Sequence, residues 1–173
     1  MWKRKKLLLF VFVFFVSLAA VPKIGSLLRD YRIKGTLTDF YAALYVSAEA
    51  GTMALSLVPE KRLSFEQALT MAGAVPQFYL YYSRRAKELL GEDFSIAVRI
   101  TETRQPDEGQ LKQLLSDYEG ADLGLYVTYD VIFSPRGGAP KKFTNKMPMV
   151  RRGGKWYMTT HLSLPIGLNI DAY

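Results

Sequence analysis

The sequence predicts an α+β domain in which N-terminal helices pack on a curved antiparallel sheet, preceded by one hydrophobic N-terminal helix. Three observations carry this. Through the first half of the chain apolar residues recur at three and four residues, the period of helices with one buried face. After Gly91 the period changes to two, which reads as strands joined in series. Ahead of both, four consecutive basic side chains abut an unbroken apolar run.

That run extends from Leu7 to Val21, behind Lys3, Arg4, Lys5 and Lys6. Cations resist transfer through hydrocarbon, so such a segment inserts with its amino end in the cytoplasm and the remainder of the chain across the bilayer. Its 15 residues rise roughly 22 Å as a helix against a hydrocarbon core of about 30 Å, a length that suits a signal peptide. Ser17 and Ala19 supply small residues for cleavage before Ala20. In favour of retention, the run is rich in Phe and Val, and snorkelling by Lys6 and Lys23 fits a short span to the bilayer. Residues 1–22 are read as a retained signal anchor, with a signal peptide as the alternative. The first makes a single-pass protein of the cell membrane, held through residues 7–21 with the N-terminus cytoplasmic and the domain extracytoplasmic. The second releases a secreted domain, cut near Ala19. A core helix of a soluble protein is disfavoured because the run has no polar face to turn to water.

Residues 23–35 alternate small apolar clusters with charges and read as a juxtamembrane connector or short helix, and residues 36–173 as the α+β domain. Leu37, Phe40, Tyr41, Leu44, Tyr45 and Ala48 mark the first helix, with Thr36 or Thr38 as its cap. Gly51 weakens or breaks it, and the apolar residues beyond run to Pro59. Ser64 and Gln67 form a capping box that opens a helix through Met71. Gly73 and Pro76 interrupt that helix, and a further one runs from Pro76 to Leu90, stopped by Gly91. Phe94, Ile96, Val98 and Ile100 alternate with polar and small residues as the first strand. Asp107 to Tyr118 is a short amphipathic helix with acids in its first turn, where the helix dipole favours them. Leu123 to Phe133 is a long strand, Pro135 to Pro140 a turn, and Lys142 to Arg152 its return. Gly153-Gly154 is a two-residue hairpin turn in which both residues take positive φ, and Trp156, Met158, Thr160 and Leu162 carry the last strand.

Composition removes several function classes. About 150 residues remain after the leader, enough for one domain. Of the formal charge of +7, four cations belong to the leader, and +3 does not indicate nucleic acid as a partner. With no Cys the chain has no disulfide, no thiolate metal site and no lipid-anchor cysteine. One His argues against a zinc enzyme or a Ser-His-Asp hydrolase, and no phosphate loop, metal-ligand spacing or cofactor motif is present.

Helices followed by an antiparallel sheet that ends in Val150-Arg151-Arg152-Gly153-Gly154-Lys155-Trp156-Tyr157-Met158, with Phe40-Tyr41-Ala42-Ala43-Leu44 near the start, resembles the nuclear transport factor 2-like superfamily, the cystatin-like α+β roll. The resemblance covers roughly residues 36–163 and is closest to small extracytoplasmic versions from bacterial envelopes. It implies that Trp156 packs into the mouth of a cone between sheet and helices. Tyr41, Tyr45 and Trp156 are the ligand-binding residues that such a pocket would use. Similar domains behind one N-terminal helix serve as scaffold components of type IV secretion and conjugation machines, and others are isomerases or dehydratases with acid and base groups inside the cone.

Candidates for such chemistry are few. Asp39 adjoins the apolar stripe of its helix and reads as a solvated residue complementing the N-terminal dipole, or as a pocket acid. Asp130 alternates with Leu125, Val127 and Tyr129 and shares a face with Tyr126, Thr128 and Ile132, which reads as the outer, solvated face. His161 falls in register with Tyr157, again on the exposed face. No nucleophile, base and orienting group come together by spacing, so no catalytic residue is assigned and the chain reads as non-enzymatic. Phe78-Tyr79-Leu80-Tyr81-Tyr82 displays more aromatic surface than one sheet can cover, a candidate contact surface beside its core-packing reading. Arg84-Arg85, Lys141-Lys142 and Arg151-Arg152 read as a solvated face or as a patch for anionic lipid or cell-wall polymer. Together these features predict a tethered module that binds a protein partner, a small ligand or further copies of itself.

Overall fold

The computed structural model describes residues 25–47, 50–59 and 75–159. The chain divides into two compact units, Met1–Arg32 and Ile33–Tyr173. Among the described residues no helix is long and apolar enough to cross a membrane. The apolar run Leu7–Val21, the capping box at Ser64–Gln67, and Thr160, His161 and Leu162 lie outside the described residues.

Residues 25–42 are helical (α1) and continue as a π-helical segment, Ala43–Ser47. Thr36 and Thr38 are thus interior to a helix rather than its caps. Leu, Arg and Lys between residues 27 and 34 are good helix formers, and Gly35 alone costs only about 1 kcal/mol. Thr36 is used differently: its Oγ1 donates to the Trp156 carbonyl at 3.2 Å. A separate helix, Ala50–Ser56 (α2), has Gly51 as its second residue. The helix Val75–Leu90 (α3) has Pro76 in its first turn, where a missing N–H costs nothing, and closes as expected at Gly91, whose φ is +86° and whose N–H donates to the Lys87 carbonyl at 2.8 Å.

The strands are β1 (Phe94–Arg104), β2 (Ala121–Pro135), β3 (Lys141–Arg152) and β4 (Lys155–Met158), paired antiparallel in the order β1-β2-β3-β4. Period-two patterning and the Gly153-Gly154 turn, with φ of +56° and +77°, account for this meander. The result is α+β, with helices packed on a curved antiparallel half-barrel sheet. Leu125, Val127, Tyr129, Val131 and Phe133 line its inner face and meet Leu37, Phe40, Tyr41 and Leu44 of α1 and its π extension in one core. Tyr82, Ala86 and Leu90 of α3 close the same core. Beyond α2, Leu57 forms a parallel bridge with Met158, and the Val58 N–H donates to the Met158 carbonyl at 3.1 Å, covering the β4 edge.

One helix sits on the opposite face. Glu108–Ser116 (α4) is capped by Asp107, which accepts from the Gln110 N–H at 2.8 Å while the Gln110 side chain reaches back to the Asp107 N–H. Leu114 and Tyr118 pack with Val58, Val150 and Tyr157 in a second apolar cluster. Close approach depends on Gly124, where a Cβ would lie 2.5 Å from Leu114 Cδ2.

Candidate functional site

The inner wall of the sheet carries Thr103, Lys141 and Arg151 in rows toward its edges and is otherwise apolar except near its middle. Across β1, β2 and β3 the row Ile100, Tyr129, Asn145 lies between the apolar rows Val98, Val131, Phe143 and, on the other side, Val127, Met147. A phenol and a carboxamide thus stand side by side between hydrophobic rows. Above them α1 contributes Tyr41, and the π-helical segment contributes Tyr45 four residues later. The two rings stack, with centroids 6.3 Å apart and planes within 8°. Tyr41 also meets Tyr129 at 6.1 Å, and Tyr45 meets Phe133 at 5.2 Å and Tyr82 of α3 at 6.0 Å, both edge to face.

All three tyrosines are fully buried, yet their hydroxyls fare differently. Tyr41 Oη and Tyr129 Oη share a hydrogen bond of 2.9 Å. Tyr45 Oη and Asn145 Nδ2 are buried with no hydrogen-bond partner among the described residues. Burial disfavours each phenolate: Tyr41 is pushed up to about 12 despite the opposing effect of its bond to Tyr129, and Tyr45 and Tyr129 are pushed up further. At neutral pH the cluster is uncharged. It offers O–H and N–H groups to a ligand or to ordered water, and it holds no ionised acid or base.

Of the three residues assigned to a pocket from the resemblance, the structure brings Tyr41 and Tyr45 together. Trp156 lies on the inner face of β4, 4% exposed, beside Thr36. Nine residues separate Thr36 from Tyr45, about 13 Å along a helix, so Trp156 stands at the other end of the same core. Tyr129 and Asn145 are the residues that sequence reasoning missed. Tyr129 is visible as an inward position of β2, and the turn from Pro135 to Lys141 sets Asn145 opposite it; neither polar group is distinguished by the alternation itself.

The carboxylates lie elsewhere. Asp39 is exposed on α1. Asp130 is on the outer face, as alternation predicts, but it is not solvated: only 3% of its side chain is accessible. The cross-strand row Arg99, Asp130, Thr144 explains why. Arg99 Nη2 donates to one carboxylate oxygen at 2.6 Å, Thr144 Oγ1 donates to the other at 2.7 Å, and Lys142 Nζ stands 3.8 Å away. The group is roofed by long, largely exposed side chains rather than sunk in a core. The hydrogen bond from Arg99, then that from Thr144, holds its carboxyl below the usual range, which makes it a poor proton acceptor and keeps it ionised at neutral pH.

The basic pairs do not gather. Lys141-Lys142 and Arg151-Arg152 occupy opposite ends of β3, about 30 Å apart along the strand, and Arg84-Arg85 is on α3. Arg85 pairs with Glu88 at 3.1 Å, and Arg151 makes a two-pronged contact with Asp122 at 3.0 Å in each bond. Within the aromatic run, Leu80 and Tyr81 are exposed and Tyr82 packs on Tyr45. Among the described residues no cluster of three or more His, Asp or Glu is arranged to hold a metal. No family model, no curated protein and no solved structure matches the chain.

Proposed function

We propose that this chain is a non-enzymatic, membrane-tethered extracytoplasmic binding or assembly module of a bacterial envelope, built on a nuclear transport factor 2-like, cystatin-like roll. The observation that carries the reading is the separation of charge from the roll interior. The middle of the inner face presents neutral phenols and an amide, whereas Asp39 and Asp122 are exposed to solvent and Asp130 is on the outer face. A cone that worked by proton transfer needs an ionisable group poised inside it, and the buried phenols are poised far above neutral pH. The leader supplies the tether, because its cations and apolar run form an insertion signal.

A second reading, a small-ligand binder, is favoured by Tyr45 Oη and Asn145 Nδ2, two unpartnered polar atoms within the core. Expression of the full chain, followed by membrane flotation, sequencing of the mature N-terminus and cross-linking in intact cells, tests both. The tethered-module reading expects an N-terminus upstream of Ala20, flotation with membranes, and cross-linked species containing either a second copy or a specific protein partner. A soluble product that begins at Ala20 and stays monomeric refutes tether and assembly together. Extraction of a stoichiometric small molecule from the purified protein would support the second reading.

A further inference from the structure

The helical residues that follow the leader carry an apolar face that water does not favour. Leu27, Leu28 and Tyr31 are 69%, 54% and 76% exposed. Spacings of three and four residues put Leu28 and Leu27, respectively, on the same helix face as Tyr31. Cations are interleaved with them, at Lys23, Arg29 and Arg32 in the sequence, and Arg29 Nε pairs with Asp30 at 2.8 Å. An aromatic residue with a polar tip, two leucines and basic neighbours make the composition of a helix that lies in the headgroup layer of a bilayer.

Chain length selects lipid as the occupant of this face. Five residues lie between Val21, the last of the apolar run, and Leu27, and because the helix begins at Gly25 the span is at most about 17 Å. If Val21 is at the hydrocarbon boundary, Leu27 begins within a headgroup layer some 5–8 Å deep or no more than about 12 Å beyond it. We propose that residues 25–32 form an interfacial foot on the far leaflet, with Leu27, Leu28 and Tyr31 seated at the acyl boundary and Arg29 and Arg32 among anionic phospholipid headgroups. This rests on the tethered reading and adds to it. The helix holds the tether against the surface rather than acting as a free linker.

The absence of Cys makes the test direct. Leu27→Cys, Tyr31→Cys and, as an exposed control at the β2–β3 turn at the far end of the sheet from Thr36, Ala139→Cys are each labelled with a polarity-sensitive fluorophore in the full chain. The labelled proteins are reconstituted into phosphatidylglycerol–phosphatidylcholine vesicles with brominated acyl chains. Labels at 27 and 31 are expected to be quenched about two-fold or more relative to 139, and less when phosphatidylglycerol is omitted. Equal quenching at all three sites, in protein that floats with the vesicles, overturns the foot and leaves the tether standing. Protection that appears only at high protein-to-lipid ratio means that a second copy covers the face, which also overturns it. Protein that fails to float overturns tether and foot together.

Discussion

Tyr45→Phe is expected to leave the roll as stable as the parent or to stabilise it, whereas Tyr129→Phe is expected to destabilise it. Both side chains are fully buried, and both substitutions keep the ring and its packing. They differ in what the hydroxyl does. Removing Tyr129 Oη deletes the 2.9 Å bond to Tyr41 and strands the Tyr41 hydroxyl in the core, a loss of about 1–3 kcal/mol. Tyr45 Oη has no partner among the described residues, so its desolvation already weighs on the folded state. Its removal returns up to about 1 kcal/mol. The two variants are therefore separated by about 1–4 kcal/mol, which at a urea m-value of about 2 kcal/mol per M is a midpoint difference of about 0.5–2 M. Urea unfolding of the full chain in lipid nanodiscs, followed by far-ultraviolet circular dichroism, reads this out. Tyr41→Phe is expected to match Tyr129→Phe, and the double variant to cost less than the sum. A loss on Tyr45→Phe as large as that on Tyr129→Phe refutes the reasoning. It means that Tyr45 Oη is hydrogen-bonded in solution to a water or a ligand, and it moves the balance toward the small-ligand reading.

The same cluster fixes the alkaline limb of stability. Tyr41 ionises near 10 when unfolded and is pushed up to about 12 by burial when folded. Stability is therefore unaffected by this group below pH 10 and falls above it by about 1.4 kcal/mol per unit until about pH 12, a decline that Tyr41→Phe reduces in pH-dependent unfolding. On the acid side the sign reverses. The carboxyl of Asp130 is lowered chiefly by Arg99, so its contribution is present above the usual carboxyl range and is lost as pH falls through its lower folded value. Asp130→Asn is expected to flatten the acid fall in melting temperature below about pH 4, and an unchanged slope would show that the pairing is absent in solution. Gly153→Ala or Gly154→Ala, at φ of +56° and +77°, is expected to cost about 1–2 kcal/mol each in urea unfolding; a neutral result at both positions would exclude this turn geometry.

Legibility in the sequence follows the range of the interactions. Strands β2, β3 and β4 are joined by short turns, and their residues alternate between a core and an outer face, so local pattern and turn chemistry point to one arrangement. The first helix is different. Thr36 reads as a cap because threonine favours helix starts, but its hydroxyl is engaged by the Trp156 carbonyl, 120 residues away in the chain, and the helix passes through it. The π-helical segment at Ala43–Ser47 has no marker in composition. It carries Tyr45 to the edge of Phe133 and leaves the hydroxyl unpartnered, a consequence of three-dimensional packing that periodicity does not encode.

Asp130 marks the boundary between the two kinds of information. Its face follows from alternation, and the Pro135–Lys141 connection determines that Thr144 is opposite and Lys142 near, because a short hairpin sets register. Arg99 is on β1, which reaches β2 only through α4 and its flanking loops, so no turn counts off that pairing. Between Ile100 and Glu102 the register also shifts, at a bulge where Thr101 Oγ1 donates to the Thr128 carbonyl at 3.1 Å. Residues before and after the bulge therefore obey different alternations: Arg99 faces outward, and so does Glu102, three positions later. Taken from alternation alone, Asp130 is a solvated acid available for proton exchange. With Arg99 registered against it, the same residue is a shielded anion, held ionised at neutral pH, whose charge is spent within the sheet. The long-range pairing thus moves this carboxylate from candidate chemistry to the bracing of the outer face, an assignment that alternation within β2 alone does not make.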